Sequence, residues 1–117
     1  MYWITDKLAT ASLAELEDIK KLNDIESVIV TDLADGEQKT PDLFDLKVRK
    51  VEEIIKNGKR AVVICAGGMS RSNSVAMAYL VRNSMDFDKA YDLIREKVPI
   101  AQINMALFDH IKSTYKR

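Results

Sequence analysis

The chain has 117 residues, 18 of them basic and 18 acidic, for a formal net charge of +0. That length fits a single domain over 1–117, and the balanced charge offers no bulk attraction to nucleic acid or to an anionic membrane, so any affinity for an anion must come from a local site. One cysteine and one histidine exclude an intrachain disulfide and a multi-histidine metal centre, and no apolar stretch has signal-peptide or membrane-span length; the expectation is a cytoplasmic monomer with no metal and no cofactor.

Residues Tyr2 to about Ala11 are short and mixed, and read as one or two edge strands anchored by Trp3, Ile4 and Leu8. Ser12 followed by Glu15 has the spacing of a capping box. Behind it Leu13, Leu16, Ile19 and Leu22 predict a short amphipathic helix that ends at Asn23-Asp24. The β-branched run Val28-Ile-Val-Thr31 predicts a buried strand. Asp32 to Thr40 is polar, contains Asp35-Gly36, and reads as a loop. Thr40-Pro41 opens the next helix, with Leu43, Leu46, Val48, Val51, Ile54 and Ile55 as its buried stripe and Asn57-Gly58 as its stop. Ala61-Val-Val-Ile64 is the clearest strand. A helix begins at Ser72, another is capped by Asp86 and stops before Pro99, and a last one covers roughly Ile103 to Tyr115. Strands alternating with helices predict an α/β fold: a central, mostly parallel sheet flanked by helices, with the helical C-terminal half on one side.

The chemistry concentrates where the clearest strand ends. Val62-Val-Ile-Cys65-Ala-Gly-Gly-Met-Ser-Arg71-Ser72 is a buried strand, a glycine-bearing loop and a helix start. Backbone N–H groups of such a loop can converge on one point, and the helix N-terminus adds partial positive charge. This nest suits a tetrahedral dianion, and the same field favours a thiolate at Cys65. Ala66, Gly67, Gly68, Met69 and Ser70 would supply the backbone cradle. The planar fork of Arg71 can hold two phosphate oxygens.

Here the chain resembles the cysteine-dependent protein tyrosine phosphatases, whose phosphate loop reads Cys-x-x-Gly-x-x-Arg-Ser. Beyond the loop, Ala78-Tyr-Leu-Val-Arg82, Met85-Asp-Phe-Asp-Lys-Ala-Tyr91 and Pro99-Ile-Ala-Gln-Ile-Asn104 are similar to the segments that follow it in dual-specificity phosphatases. The opening Met-Tyr-Trp is similar to small archaeal members. The resemblance is good over roughly residues 58 to 111 and loose before them. It implies a protein-tyrosine-phosphatase-like fold with a shortened N-terminal half, and a phosphorylated protein or peptide as substrate. It also implies roles. Cys65 would attack phosphorus and become phosphocysteine, and Arg71 would bind the phosphoryl oxygens. Ser72 would hydrogen-bond the sulfur and help it leave, and Asn104 would support the loop from behind. The general acid would come from an earlier loop, where Asp35 is the choice and Asp32 the rival.

Two departures stand out. The histidine that the family carries before its cysteine is Ile64 here, and a strand with its connection is missing ahead of the acid loop. Ile64 and the rivalry between Asp35 and Asp32 for the acid motivate an alternative reading, a catalytically weak phosphate-binding module of the pseudophosphatase kind. Other chemistries on the same loop are disfavoured: RNA 5′-phosphate hydrolysis by the neutral charge, arsenate reduction by the lack of further cysteines, and phosphoinositide hydrolysis by the absence of lysine from positions 66 to 70. His110, late in an amphipathic helix, reads as a surface or packing residue.

Overall fold

The computed structural model of the chain describes residues 1–31, 40–67 and 70–116. Strand β1 (Tyr2–Thr5) folds back antiparallel on β2 (Leu8–Ser12). A 3-10 turn (Leu13–Glu15) and a single turn of helix, α1 (Leu16–Ile19), lead to β3 (Ile25–Ile29). Then come α2 (Thr40–Lys56), β4 (Arg60–Cys65), α3 (Arg71–Arg82), α4 (Phe87–Lys97) and α5 (Met105–Thr114). The sheet order is β1-β2-β4-β3, and both neighbours of β4 run parallel to it. The mostly parallel sheet expected from the alternation of strands and helices is therefore present.

The period-two geometry of a strand splits this sheet into two faces. Ala61, Val63 and Cys65 of β4, with Leu8 of β2 and Val28 of β3, join the core built by α2, α3, α4 and α5. Val62 and Ile64 of β4, with Ala9 and Ala11 of β2, point the other way and meet Ile19 of α1. Both faces of β4 are dry from Ala61 to Cys65, which is why that stretch is continuously apolar rather than alternating.

Several elements differ from the sequence reading for physical reasons. β2 is an interior strand, paired on both sides, although Leu8-Ala-Thr-Ala-Ser12 carries few residues of high strand propensity. The expected helix from Leu13 to Leu22 is only the 3-10 turn and α1. Of its four apolar positions Ile19 alone is buried, while Leu13 and Leu22 are exposed. The Glu15 carboxylate does accept the Ser12 N–H at 3.1 Å, as the capping-box spacing predicts. β3 begins at Ile25 and ends at Ile29, earlier than the Val28–Thr31 run suggests, because it pairs with β4 in register Ile25↔Arg60 to Ile29↔Ile64. In α2 the buried stripe is Phe44, Val48, Val51 and Ile54, and Leu46 faces out. Phe44 starts an i, i+4, i+7 series that places it on the core side.

Helix ends follow their capping chemistry. The Asp86 carboxylate accepts the N–H groups of Asp88 at 3.2 Å and Lys89 at 3.3 Å, starting α4. Gly58 follows α2 at φ +82°, a left-handed value that glycine adopts without a Cβ clash, and its N–H bonds the Ile55 carbonyl at 3.1 Å. A polar link ties α2 to the chain's end: Asp45 accepts from the Tyr115 hydroxyl and pairs with His110 Nε2 at 3.1 Å. His110 is thus a partly buried bridging residue rather than a solvated one.

Candidate active site

Cys65 is the last residue of β4 and 2% exposed, at the edge of the main core. A parallel strand delivers its C-terminal end to the crevice where ligands bind in open α/β sheets. Six residues later α3 begins, with Arg71 as its first residue. Its N-terminus therefore lies beside the end of the strand, where a helix start adds partial positive charge.

Ser72 closes this arrangement from the helix side. It is fully buried, and its Oγ lies 3.3 Å from Cys65 Sγ, hydrogen-bonded to it. With sulfur as thiol the S–H donates; with sulfur as thiolate the hydroxyl donates to it. Arg71 is partly buried and its Nη1 donates to the Thr31 carbonyl at 3.0 Å. This contact joins the start of α3 to the chain just after β3. Ser70 is held at two points: its Oγ accepts the Asn104 N–H at 2.9 Å, and its carbonyl accepts Ser74 Oγ at 2.8 Å and Ser74 N–H at 2.9 Å.

Among the predicted site residues, Cys65, Ser70, Arg71 and Ser72 come together at one end of β4. Ala66 and Gly67 lie there exposed. Asn104 also reaches the loop, but through its backbone N–H; its side chain instead caps α5 by accepting the Ala106 N–H at 2.9 Å. Gly68, Met69, Asp32 and Asp35 lie outside the described residues. Ile64 is fully buried on the opposite face of the sheet from Cys65. A depression of about 300 Å³ flanks Gly67, lined by Tyr2, Ser12, Glu15 and Ile100 among others. In its wall the Glu15 carboxyl is lowered from its ordinary value. Burial pushes it up, but the ammonium of Met1 and the N–H and hydroxyl of Ser12 outweigh that. Among the described residues no group of three or more His, Cys, Asp or Glu side chains could hold a metal ion, and no helix is long and apolar enough to cross a membrane.

Sequence reading missed two participants. Thr31 contributes only a carbonyl, which leaves no trace in residue type. Asn73, fully buried beside Ser72, could have been noticed from the run Ser72-Asn-Ser74, three polar residues leading an otherwise apolar helix.

A mostly parallel sheet whose strand β4 ends in a cysteine, with an arginine opening the next helix six residues later, is the arrangement of the cysteine-dependent phosphatase class. Comparison with known proteins narrows it. The family model described as "Dual specificity phosphatase, catalytic domain" matches residues 6–117, and the chain belongs to that family. A stretch of 62 residues is 34% identical to mouse dual specificity protein phosphatase 12, covering 52% of this chain and 18% of that protein. A stretch of 63 residues is 29% identical to mouse dual specificity phosphatase 28, covering 53% of this chain and 39% of that one. The matched stretches thus span well under two thirds of these curated relatives. The solved structure of human DUSP28 superposes with a TM-score of 0.81 at 18% identity, covering 97% of this chain and 91% of that chain. Tk-PTP in its active form gives 0.76 at 19% identity, with 98% and 95% covered. At such identities these structures establish the shared fold.

Proposed function

We propose that this chain hydrolyses phosphate monoesters on proteins through a phosphocysteine at Cys65. One observation carries the reading: the Cys65 sulfur sits at the end of β4 in hydrogen-bond contact with Ser72, on the helix turn that also bears Arg71. Cys65 Sγ attacks phosphorus as the ester P–O bond breaks, and the leaving oxygen takes a proton from a general acid. Water then attacks the phosphocysteine, giving its proton to the same residue, and the P–S bond breaks to release inorganic phosphate and the thiolate. Arg71 and the N–H groups of the loop and of α3 stabilise charge on the equatorial oxygens in both steps. Ser72 donates to the departing sulfur in the second.

For the acid we propose Asp35, with Asp32 as the rival. The Arg71 contact with Thr31, the residue before Asp32, supports an acid drawn from the segment after β3. Asp35→Asn should lower kcat by about 10²–10³ on esters with poor leaving groups and much less on aryl phosphates. That pattern in Asp32→Asn instead would move the assignment.

The substrate class proposed is phosphotyrosine proteins, with phosphoserine and phosphothreonine included. It is supported by the family to which the chain belongs. The lone thiol fits a reducing cytoplasmic setting. The deciding experiment is turnover of p-nitrophenyl phosphate and phosphopeptides by the purified protein and its Cys65→Ser variant. Phosphate binding without turnover in the wild-type protein would instead make it a binding module.

A further inference from the structure

The first turn of α3 holds a buried polar row, and the reaction above uses only one of its members. Ser72, Asn73 and Ser74 are all fully buried. Ser72 meets the cysteine and Ser74 bonds back to Ser70. Asn73 turns to the sheet, where its Oδ1 accepts from Thr10 Oγ1 at 2.9 Å, and Thr10 is fully buried too. Thr10 is the middle residue of β2 and pairs with Val63 of β4, two residues before Cys65. Val63 and Cys65 share one face, so the Thr10 side chain stands on the cysteine's side of the sheet.

We propose that Thr10 and Asn73 are a positioning pair that sets how the first turn of α3 sits over Cys65. The rest of α3 is held in the core by apolar contacts of Val75, Ala76, Met77 and Ala78. Such apolar contacts are non-directional and tolerate small slides and rotations. A hydrogen bond between two fully buried side chains is directional and has no water to exchange with. It fixes residue 73 against β2, and β2 fixes it against β4 through five paired residues, the last of which is Ser12↔Cys65. Arg71 and Ser72 precede Asn73 on the same turn. A shift of α3 therefore moves the guanidinium, the Ser72 hydroxyl and the helix N–H groups together relative to the sulfur. The Ile64 side chain, on the opposite face, takes no part in this brace.

This inference rests on the hydrolytic reading of the site, and its test is arranged so that the two fail separately. Thr10→Val keeps the shape of the side chain and removes the donor; Thr10→Ser keeps the donor and removes the methyl. Thr10→Val is expected to lower kcat on p-nitrophenyl phosphate by about 10-fold to 100-fold, the scale for a misplacement near 1 Å. Thr10→Ser should stay within about 3-fold of wild type, a residual effect far below that scale. The rate of Cys65 alkylation by iodoacetate should change in Thr10→Val and not in Thr10→Ser. Should Thr10→Val not fold, Thr10→Val/Asn73→Leu removes donor and acceptor together and is read the same way. A folded variant with a lower melting temperature but wild-type kcat and alkylation rate would overturn the proposal, leaving the pair a purely structural contact. If the wild-type protein shows no turnover, the hydrolytic reading fails; the alkylation comparison then still decides the positioning role.

Discussion

One face of the sheet carries α2, α3, α4 and α5, of 17, 12, 11 and 10 residues; the other carries a 3-10 turn and the four residues of α1. Cys65 belongs to the thick face and its neighbour Ile64 to the thin one. Consecutive strand residues thus answer to different surroundings. At position 65 the environment is a helix N-terminus and a buried hydroxyl, which suits the nucleophile proposed there. At position 64 it is Ala9, Ala11, Ile19 and Val62, which is the setting for an aliphatic side chain. The apolar residue before the cysteine is explained by packing on the thin face, and the proposed chemistry would be organised from the thick one.

The contrast can be broken most sharply at the cysteine itself. Cys65→Ser should reduce turnover by at least about 10⁴-fold, the scale for deleting a nucleophile. Phosphate or tungstate binding should persist, since the donors proposed for it are backbone N–H groups and Arg71. Steady-state assays with isothermal titration check both, and surviving turnover would exclude the phosphocysteine. Arg71→Lys comes next. A point charge cannot reproduce a two-pronged fork, so activity should fall by about 10²-fold or more, on the order of removing one transition-state donor.

Stability should separate the two faces by smaller amounts. Phe44→Ala on the thick face should cost about 3–5 kcal/mol, because Phe44 is fully buried among rigid helices. Ile19→Ala on the thin face should sit near the lower end of the range for such truncations, about 2 kcal/mol, because a one-turn helix can settle into the gap. Urea unfolding measures both. Equal losses would show the thin face to be as tightly packed as the thick one.

The smallest effect expected is a pH dependence. The Tyr115 phenol is raised well above its ordinary value, by burial first and then by its hydrogen bond to Asp45 and the charge of that carboxylate. Its folded pKa exceeds the unfolded one, so its contribution is fully present below about pH 10, the free tyrosine value, and is lost as pH rises beyond. Wild-type protein should therefore lose its advantage in melting temperature over Tyr115→Phe as the pH passes about 10. A difference that stays constant to pH 12 would leave the α2–α5 link without this coupling.

The strand-loop-helix unit around Cys65 was legible because three local signals agree there: a β-branched run, glycines, and a polar opening to an apolar helix. The caps at Asp86 and Gly58 were legible for the same reason. β2 was less so. Its small residues satisfy two dry faces and two neighbouring strands, and neither constraint is written in the local pattern. The helix expected after Ser12 had the right spacing but too little sheet to cover, so tertiary contact allowed only Ile19 to be buried. Thr10 and Asn73 were out of reach altogether, since their bond joins residues 63 apart in sequence. The Thr31–Arg71 and Ser70–Asn104 contacts span 40 and 34 residues and are invisible for the same reason.

Those separations bear on how the site comes into being. Loop closure must be completed before a distant contact returns any free energy. Cys65 and Ser72 can approach one another early, within a short stretch of chain. The Ser70 hydroxyl meets the Asn104 N–H only once Asn104 has emerged and the start of α5 has docked. During synthesis, then, the thiol is present long before the Asn104 contact can form, and a nascent chain ending ahead of residue 104 carries the cysteine without that brace on Ser70. Competence to bind an anion should appear as a late, all-at-once event in folding, coupled to the docking of the last helix.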